Sequence, residues 1–221
     1  PLVPFVDYRL FRHRRLNRVA LNIGGIANIT AIPAGCAPEG VIAFDTGPGN
    51  MVFDALVGLH TKGRLRYDRD GRLAARGRID KELLKRLLSG EFYRRKPPKT
   101  AGREQYGRAF VARLLATNLP LPDLIATATA LSAAAVALAV RRFVPVRADE
   151  LIVSGGGARN PQLMNHLAAL LPEAAVATSS DFGIDSDAKE AIAFALLGYE
   201  TWRGRPSNLP SATGARHPVI L

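Results

Sequence analysis

The fold is decided by the stretch Val41-Ile42-Ala43-Phe44-Asp45-Thr46-Gly47-Pro48-Gly49-Asn50, which leads directly into an apolar segment over residues 51–58. A short β-prone run ends at an acidic residue, a Gly-Pro-Gly turn follows, and residues 52–57 then place apolar side chains on one helical face. The pattern predicts strand, loop and helix. Asp45 is then expected at the carboxyl end of a buried strand, where open α/β sheets bind their ligands.

The predicted loop after Asp45 has the features of an anion site. Gly47 and Gly49 carry no side chain, so backbone N–H groups could approach an anion there. Asn50 is a candidate N-cap, and a helix that begins after it adds a positive dipole end. A carboxylate beside such a loop suits phosphoryl transfer, which needs a base for the nucleophile and a cradle for the phosphates. The alternative is that Asp45 merely caps a Gly-Pro turn.

Length and composition indicate a globular chain. Its 221 residues are 48% hydrophobic, enough for one large or two small domains with a sizeable core. The single cysteine, Cys36, excludes a disulfide framework, so a cytoplasmic location is expected. No signal peptide or lipidation motif occurs. The chain opens with Pro1 and not with Met, and its first residues resemble the middle of a protein, so we expect a fragment.

The charge is strongly basic, at +11 with a sequence pI near 10.5. This permits nucleic-acid or anionic-substrate binding. Basic residues nevertheless lie spread over residues 9–18 and 62–108, interrupted by Asp and Glu, without interleaved aromatics or a nucleic-acid motif. We therefore favour a solvated basic surface and predict no nucleic-acid partner. The uncharged run between Asp123 and Arg141 is rich in Ala and Thr, which favours a buried helix over a membrane span.

The first part of the chain reads as an irregular lead-in over residues 1–18, followed by two β-prone runs. These runs flank Gly24-Gly25 and predict a hairpin, whose tip could also approach a phosphate. A further helix over 123–140, capped by Asp123, is expected after a charged region over about 61–121, which is interpreted as a helical insertion with helices over 80–89 and 106–118. Within it, the run from Asp68 to Gly71 predicts a turn, because the later ligands of a calcium loop are absent.

A second ligand-binding pattern follows. Residues 150–157 read as a strand, Leu151-Ile152-Val153, that runs into Ser154-Gly155-Gly156-Gly157, and a helix is expected from about Asn160 to Leu171. Strand, glycine loop and helix is a setting for a nucleotide, with an adenine or ribose against bare backbone; simple loop flexibility is the alternative. A short strand at 176–178 and a last helix over 187–202 complete the fold. That helix is expected to bury Ala191, Phe194, Ala195 and Leu197.

The resulting order is β-β-β-α, an inserted helical region, then β-α-β-α. It resembles the ribonuclease-H-like lobe of actin-like ATPases, here over residues 19–203, with an irregular tail over 204–221. Four motifs in the same order closely resemble the anhydro-N-acetylmuramic acid kinase family. They are Leu21-Asn22-Ile23-Gly24-Gly25-Ile26-Ala27-Asn28, Phe44-Asp45-Thr46-Gly47-Pro48-Gly49-Asn50, Pro98-Lys99-Thr100-Ala101-Gly102-Arg103-Glu104 and Ser154-Gly155-Gly156-Gly157-Ala158-Arg159-Asn160. Residues 204–215 are similar to that family as well.

The resemblance implies a kinase that uses ATP and Mg²⁺ to convert 1,6-anhydro-N-acetylmuramic acid and water to N-acetylmuramic acid 6-phosphate, in peptidoglycan recycling. It implies that Asp45 is the general base for the attacking water and that Glu190 lies near the sugar. It assigns phosphate contacts to Gly24, Gly25, Thr46, Gly47, Gly49 and Asn50, and nucleoside contacts to Gly155, Gly156, Gly157 and Asn160. It assigns no metal-ligating side chain. It suggests a homodimer, and no membrane partner is expected.

Two departures from the family pattern affect what is expected of the chain. Ala101 stands where the family has Thr, and the roles of Lys99, Arg103 and Glu104 stay open between ligand contacts and a solvated loop. The family's N-terminal half, with the phosphate loop Gly-Thr-Ser-x-Asp-Gly, has no counterpart in the sequence. Because two lobes normally close over ATP, we expect weak or no kinase activity from this chain alone. The alternative function is an inactive remnant or a non-catalytic nucleotide-binding module.

Overall fold

A five-stranded sheet with the order β3-β2-β1-β4-β5 organises the chain. The structure, a computed structural model, describes residues 2–186 and 188–221. Strand β1 pairs antiparallel with β2, and β2 with β3, whereas β1, β4 and β5 are parallel. The predicted Gly24-Gly25 hairpin is confirmed. The strands are β1 (Arg18–Ile23), β2 (Ile26–Ile32), β3 (Ile42–Pro48), β4 (Glu150–Ser154) and β5 (Ala175–Thr178).

Ten helices, three of them single turns, occur in the described part of the chain. The predicted order is confirmed for β1-β2-β3-α2 and for β4-α8-β5-α9, with α3 to α7 between them, whereas α1 and α10 were not predicted. The helices are α1 (Val3–Phe11), α2 (Met51–His60), α3 (Lys81–Leu88), α4 (Glu91–Arg94), α5 (Arg103–Tyr106), α6 (Arg108–Leu115), α7 (Leu121–Phe143), α8 (Pro161–Leu170), α9 (Lys189–Trp202) and α10 (Pro210–Thr213).

The sheet separates two apolar cores, one packed against each of its faces. Successive side chains of a strand point to opposite faces, so Leu21 and Ile23 of β1 join the core beneath α2, α7 and α8. Ala20, which precedes Leu21, joins the core beneath α1, α9 and α10 on the opposite face. Helix α7 is long and apolar enough to cross a membrane, yet 83% of its most apolar 18-residue segment is buried inside the fold. This agrees with the predicted core helix.

Several predicted details are wrong at the ends of the chain and of its helices. The lead-in is not irregular, because residues 3–11 form helix α1 and bury Phe5, Val6 and Phe11. Asp123 is not the N-cap of α7; Pro120 holds that position, and the Asp123 carboxylate instead accepts from the Arg78 N–H at 2.8 Å. The start predicted for α9 at Asp187 lies outside the described residues.

Helix α9 differs most from its predicted burial. Leu197 is buried, but Phe194 is 72% exposed, and Ala191 and Ala195 are exposed as well. The helix is anchored through Lys189 and Glu200, which are buried polar residues. Helical periodicity identified apolar positions but could not decide which of them meet the sheet.

Candidate active site

Three loops meet at one end of the sheet. They are the tip of the β1–β2 hairpin, the loop before α2 and the loop after β4. The Asn50 N–H donates to Gly24 O at 2.7 Å, and the Gly49 N–H donates to Gly25 O at 3.0 Å. A Cβ on Gly49 would collide with Gly24 O, and one on Gly155 would lie 2.7 Å from Ile23 O. Glycine is therefore required where these loops touch, because any side chain would push their backbones apart.

The junction leaves backbone donors free on two of the three loops. Within the described residues, the N–H groups of Gly24, Gly25, Gly155 and Gly156 donate no hydrogen bond. Gly25 and Gly156 are also exposed to solvent. Adjacent unpaired N–H groups form anion-binding concavities, so the hairpin tip and the triple-glycine loop together offer a cradle for phosphates.

The third loop does not offer the donors that the sequence suggested. The N–H groups of Gly49 and Asn50 are already bonded to the hairpin carbonyls, so they are not available to a phosphate in this arrangement. The Asn50 side chain occupies the N-cap position of α2 without making a capping hydrogen bond. Helix α2 thus begins after Asn50 as predicted, but the expected side-chain cap is not formed, and this loop instead holds the hairpin in place.

Gly47 and Thr46 are buried beneath neighbouring groups. A Cβ on Gly47, whose φ is +142°, would lie 3.1 Å from the Tyr93 ring. The Thr46 side chain is fully buried and donates from Oγ1 to Ala27 O at 3.1 Å. The structure thus places both residues in packing contacts, and their proposed phosphate contacts stay predictions.

A cavity of about 550 Å³ adjoins the triple-glycine loop. The helix-α2 wall contributes Asn50 and Asp54, the loop after β4 contributes Gly156 and Asn160, and residues 67–70 of the insertion form the outer wall. Asn160 caps α8, because its Oδ1 accepts from the N–H groups of Gln162 and Leu163 at 3.1 and 3.2 Å. The predicted turn from Asp68 to Gly71 is present and contributes to this cavity, a role that local sequence gave no signal for.

Asp45 lies within β3 and not at its end, since the strand continues to Pro48. A bulge at Thr46 separates the pair Asn28–Asp45 from the pair Ala27–Gly47. Such a bulge re-aims side chains at functional sites. Asp45 Oδ2 accepts from the Ala101 N–H at 2.8 Å, and the Asp45 N–H donates to Lys99 O at 3.1 Å. The loop from Pro98 to Ala101 therefore holds the carboxylate.

The Asp45 side chain has one oxygen free and a raised pKa. In the described part of the chain Oδ1 accepts no hydrogen bond, so it can receive a proton. Partial burial raises the pKa of Asp45 above its ordinary value, and the Ala101 N–H opposes that rise by stabilising the charged form. A raised pKa makes a carboxylate a better general base near neutral pH.

Asp45 lines a second cavity, of about 300 Å³, on the side of α1 and α10. Its polar lining includes Asn28, Thr30, Arg95 and Thr100; Thr30 and Arg95 lie outside the four motifs quoted from the sequence. The two cavities share no lining residue. The structure therefore separates the candidate base from the triple-glycine loop by the segment from Thr46 to Asn50.

The remaining candidates lie apart from both cavities or turn inward. Glu190 is exposed in the first turn of α9 and lines neither cavity. Arg103 and Glu104 are exposed at the start of α5. Lys99 lines the Asp45 cavity, but it is 3% exposed and donates from Nζ to Phe92 O at 3.1 Å.

Comparison with known proteins decides the family. The family model described as anhydro-N-acetylmuramic acid kinase matches residues 1–221. The chain belongs to the anhydro-N-acetylmuramic acid kinase family. It is 45% identical to the enzyme of that name from Caldanaerobacter subterraneus subsp. tengcongensis over 100% of this chain and 57% of the relative. It is 48% identical to the one from Salinibacter ruber over 97% of this chain and 55% of the relative.

The chain thus spans a little over half the length of these family members. A solved structure, the activator of the 2-hydroxyisocaproyl-CoA dehydratase from Clostridium difficile with bound ADPNP, aligns with a TM-score of 0.52. The alignment covers 91% of this chain and 65% of the activator at 13% identity, which shows the fold alone. The predicted fold class, a ribonuclease-H-like lobe of an actin-like ATPase, is confirmed.

Proposed function

We propose that the protein takes part in the phosphorylation of 1,6-anhydro-N-acetylmuramic acid by ATP, with water opening the anhydro ring. The observation that carries this proposal is the Asp45 carboxylate, which lines a cavity and is held by the Ala101 N–H with its second oxygen free. Family membership over residues 1–221 supports the substrate class. The product would be N-acetylmuramic acid 6-phosphate, which belongs to peptidoglycan recycling and amino-sugar metabolism in the cytoplasm.

Asp45 would act as the general base. It takes a proton from water as the water oxygen bonds to the anomeric carbon, and the bond from that carbon to the sugar oxygen at position 6 breaks. That oxygen takes the γ-phosphoryl group, and the bond to the β-phosphate oxygen breaks. A base of this kind contributes typically 10²–10⁴-fold to a rate. The raised pKa of Asp45 favours the proton transfer.

The glycine loops and the cavity beside them suit a nucleoside triphosphate. The free N–H groups of Gly24, Gly25, Gly155 and Gly156 suit phosphate oxygens, and the cavity beside Asn160 suits a nucleoside. No group of three His, Cys, Asp or Glu side chains converges in residues 2–186 and 188–221. Mg²⁺ would then be held largely by phosphate oxygens and water, as is usual for it, and would offset phosphate charge when bound.

A second candidate function is nucleotide binding without sugar phosphorylation. One observation favours it: the cavity at Asp45 and the cavity at the triple-glycine loop share no lining residue. In that case the glycine loops would bind ATP while Asp45 stays remote from the γ-phosphate. Glu190 near the sugar, the division of the chain at residues 18, 61–121 and 203, and a homodimer stay proposals under both functions.

The test compares this chain, fused to the N-terminal half that its relatives carry, with the same fusion bearing Asp45→Asn or Glu39→Gln, an exposed acidic control. Sugar phosphate formed from ATP and 1,6-anhydro-N-acetylmuramic acid is measured by mass spectrometry, and ADP binding by calorimetry. We expect Asp45→Asn to lower the turnover by about 10²-fold or more with ADP affinity unchanged. Turnover equal to that of the unmodified fusion would exclude Asp45 as the base. ADP binding without any product from the unmodified fusion would favour the second function.

A further inference from the structure

The cavity beside the triple-glycine loop contains polar atoms that have no partner. Asp54 Oδ1, Asn50 Oδ1 and Asn160 Nδ2 are each buried and make no hydrogen bond. All three residues line this cavity. Buried polar groups are nearly always hydrogen-bonded, so three such atoms around one cavity indicate a ligand that would satisfy them.

The orientation of Asn160 is fixed by its own helix. The residue is 5% exposed, and its Oδ1 accepts from two N–H groups at the start of α8. An amide flip would place Nδ2 against those donors, so Nδ2 must remain the atom without a partner. The insertion closes over this position, because a Cβ on Gly71 would lie 2.7 Å from Asn160 Oδ1.

The position of Asp54 along α2 indicates which part of a nucleotide it would meet. Asn50 adjoins the glycine loops that would bind phosphates, and Asp54 lies one turn further along the same wall, about 6 Å on at 1.5 Å per residue. The ribose is the group that follows the phosphates directly. Acidic side chains that bind a ribose hydroxyl recur in nucleotide sites.

We propose that Asp54 is a specificity-determining residue of the nucleotide site, whose carboxylate accepts a hydrogen bond from a ribose hydroxyl while Asn160 Nδ2 donates to the same sugar. This assignment rests on the proposed binding of ATP and names the sugar contact within it. Asp68 does not compete for the ligand, because its two oxygens accept from the N–H groups of Leu73 and Ala74 at 2.8 and 2.9 Å.

The electrostatics of the cavity agree with this role. Burial first, and then the neighbouring Asp68 carboxylate, raise the pKa of Asp54 to about 7. Arg69 and Asp70 from the insertion and Arg159 from the loop after β4 also line the cavity. A hydroxyl donor from the ligand would stabilise the charged form of Asp54, which no described residue now does through a hydrogen bond.

The experiment measures the binding of ADP, 2′-deoxyADP and 3′-deoxyADP to the 221-residue chain by calorimetry. We expect ADP to bind about tenfold or more tightly than at least one deoxy analogue, because that analogue lacks the donor. Asp54→Ala should bring that ratio close to one. Asp54→Asn should retain part of it, since the amide oxygen still accepts. Glu39→Ala, at an exposed carboxylate that does not line this cavity, should leave the ratio unchanged.

Equal affinities for all three nucleotides, no binding of any of them, or an unchanged ratio in Asp54→Ala would each overturn the proposal. If Asp54→Ala does not fold, the ratio in the unmodified chain and its partial retention in Asp54→Asn decide the question. The measurement uses no sugar substrate. Discrimination between the nucleotides by this chain, with no sugar phosphate made when it is fused to the N-terminal half that its relatives carry, would support this inference and contradict the kinase proposal.

Discussion

At the scale of single residues, Lys99 belongs to a family motif, yet its side chain is buried beside the site. Its ammonium lies 4.5–5.6 Å from the ring centroids of Phe44, Phe92 and Phe143, and it has no carboxylate partner in the part of the chain that the structure describes. Its carbonyl accepts from the Asp45 N–H. Burial, followed by Arg95 and Arg142, lowers the pKa of Lys99 to about 8. The side chain thus anchors the loop that holds the candidate base.

Lys99→Met should change how stability depends on pH. The pKa of 10.5 expected for this lysine in the unfolded chain lies above the pKa of about 8 in the fold, so the unfolded state binds more protons between these values. The stability of the unmodified chain should therefore rise relative to the variant from about pH 7 to about pH 9.5. Urea unfolding at both pH values measures the difference. Lys85→Met, at an exposed position, should show no such trend, and a constant difference for Lys99→Met would contradict the prediction.

At the scale of secondary-structure elements, a buried ion pair joins helices α1 and α9, which pack on the same face of the sheet. Lys189 Nζ of α9 lies 2.8 Å from Asp7 Oδ1 of α1, with the two side chains 10% and 2% exposed, although the contact lacks hydrogen-bond geometry. Lys189 also donates to Ser154 Oγ at 3.0 Å, and Thr30 donates to Asp7 Oδ2 at 2.8 Å. The pair thereby connects both helices to strands β2 and β4.

Asp7→Asn should destabilise the fold by about 3–5 kcal/mol, because it leaves the buried Lys189 cation without a counter-charge. Urea unfolding gives the free energy. The double variant Asp7→Asn with Lys189→Met should recover part of the loss, since no isolated charge remains. Arg141→Gln removes an ion pair with side chains 55% and 26% exposed and should cost at most about 1 kcal/mol. Equal losses in Asp7→Asn and Arg141→Gln would argue against the pair's importance.

At the scale of the whole molecule, helix α9 carries an uncovered aromatic surface. Phe194 is 72% exposed, Trp202 78% and Tyr199 50%, and the rings of Tyr199 and Trp202 lie 6.3 Å apart. Clustered exposed aromatics of this kind mark interaction surfaces or aggregation liabilities. The sequence had placed Phe194 in the core.

We expect the chain to self-associate through this surface. Sedimentation velocity over a range of concentrations should show species larger than a monomer, and Phe194→Ser combined with Trp202→Gln should shift them to the monomer. Tyr67→Ser removes an aromatic ring that is 53% exposed elsewhere and should change nothing. A monomer at every concentration, before any substitution, would rule out this association.

The sequence by itself determined the order of the elements and several of their ends. Period-2 and period-3.6 patterns are local, so β1, β2 and α2 could be assigned from neighbouring residues alone. The predicted helix over 80–89 is α3, and it begins after Asp80, whose carboxylate accepts from the Leu83 N–H at 2.7 Å. The glycines of the hairpin tip and of the loop after β4 could be recognised because a bare backbone is itself a sequence signal.

Only the tertiary structure decided which groups are available to a ligand. The amides of Gly49 and Asn50 are used by the hairpin carbonyls, Lys99 turns inward, and Phe194 turns outward. Asp54 meets residues 67–70 across a cavity. Each outcome depends on a contact between segments distant in sequence. Local periodicity does not show which backbone N–H will donate to a carbonyl from a distant segment, because these hydrogen bonds form only when the loops pack together.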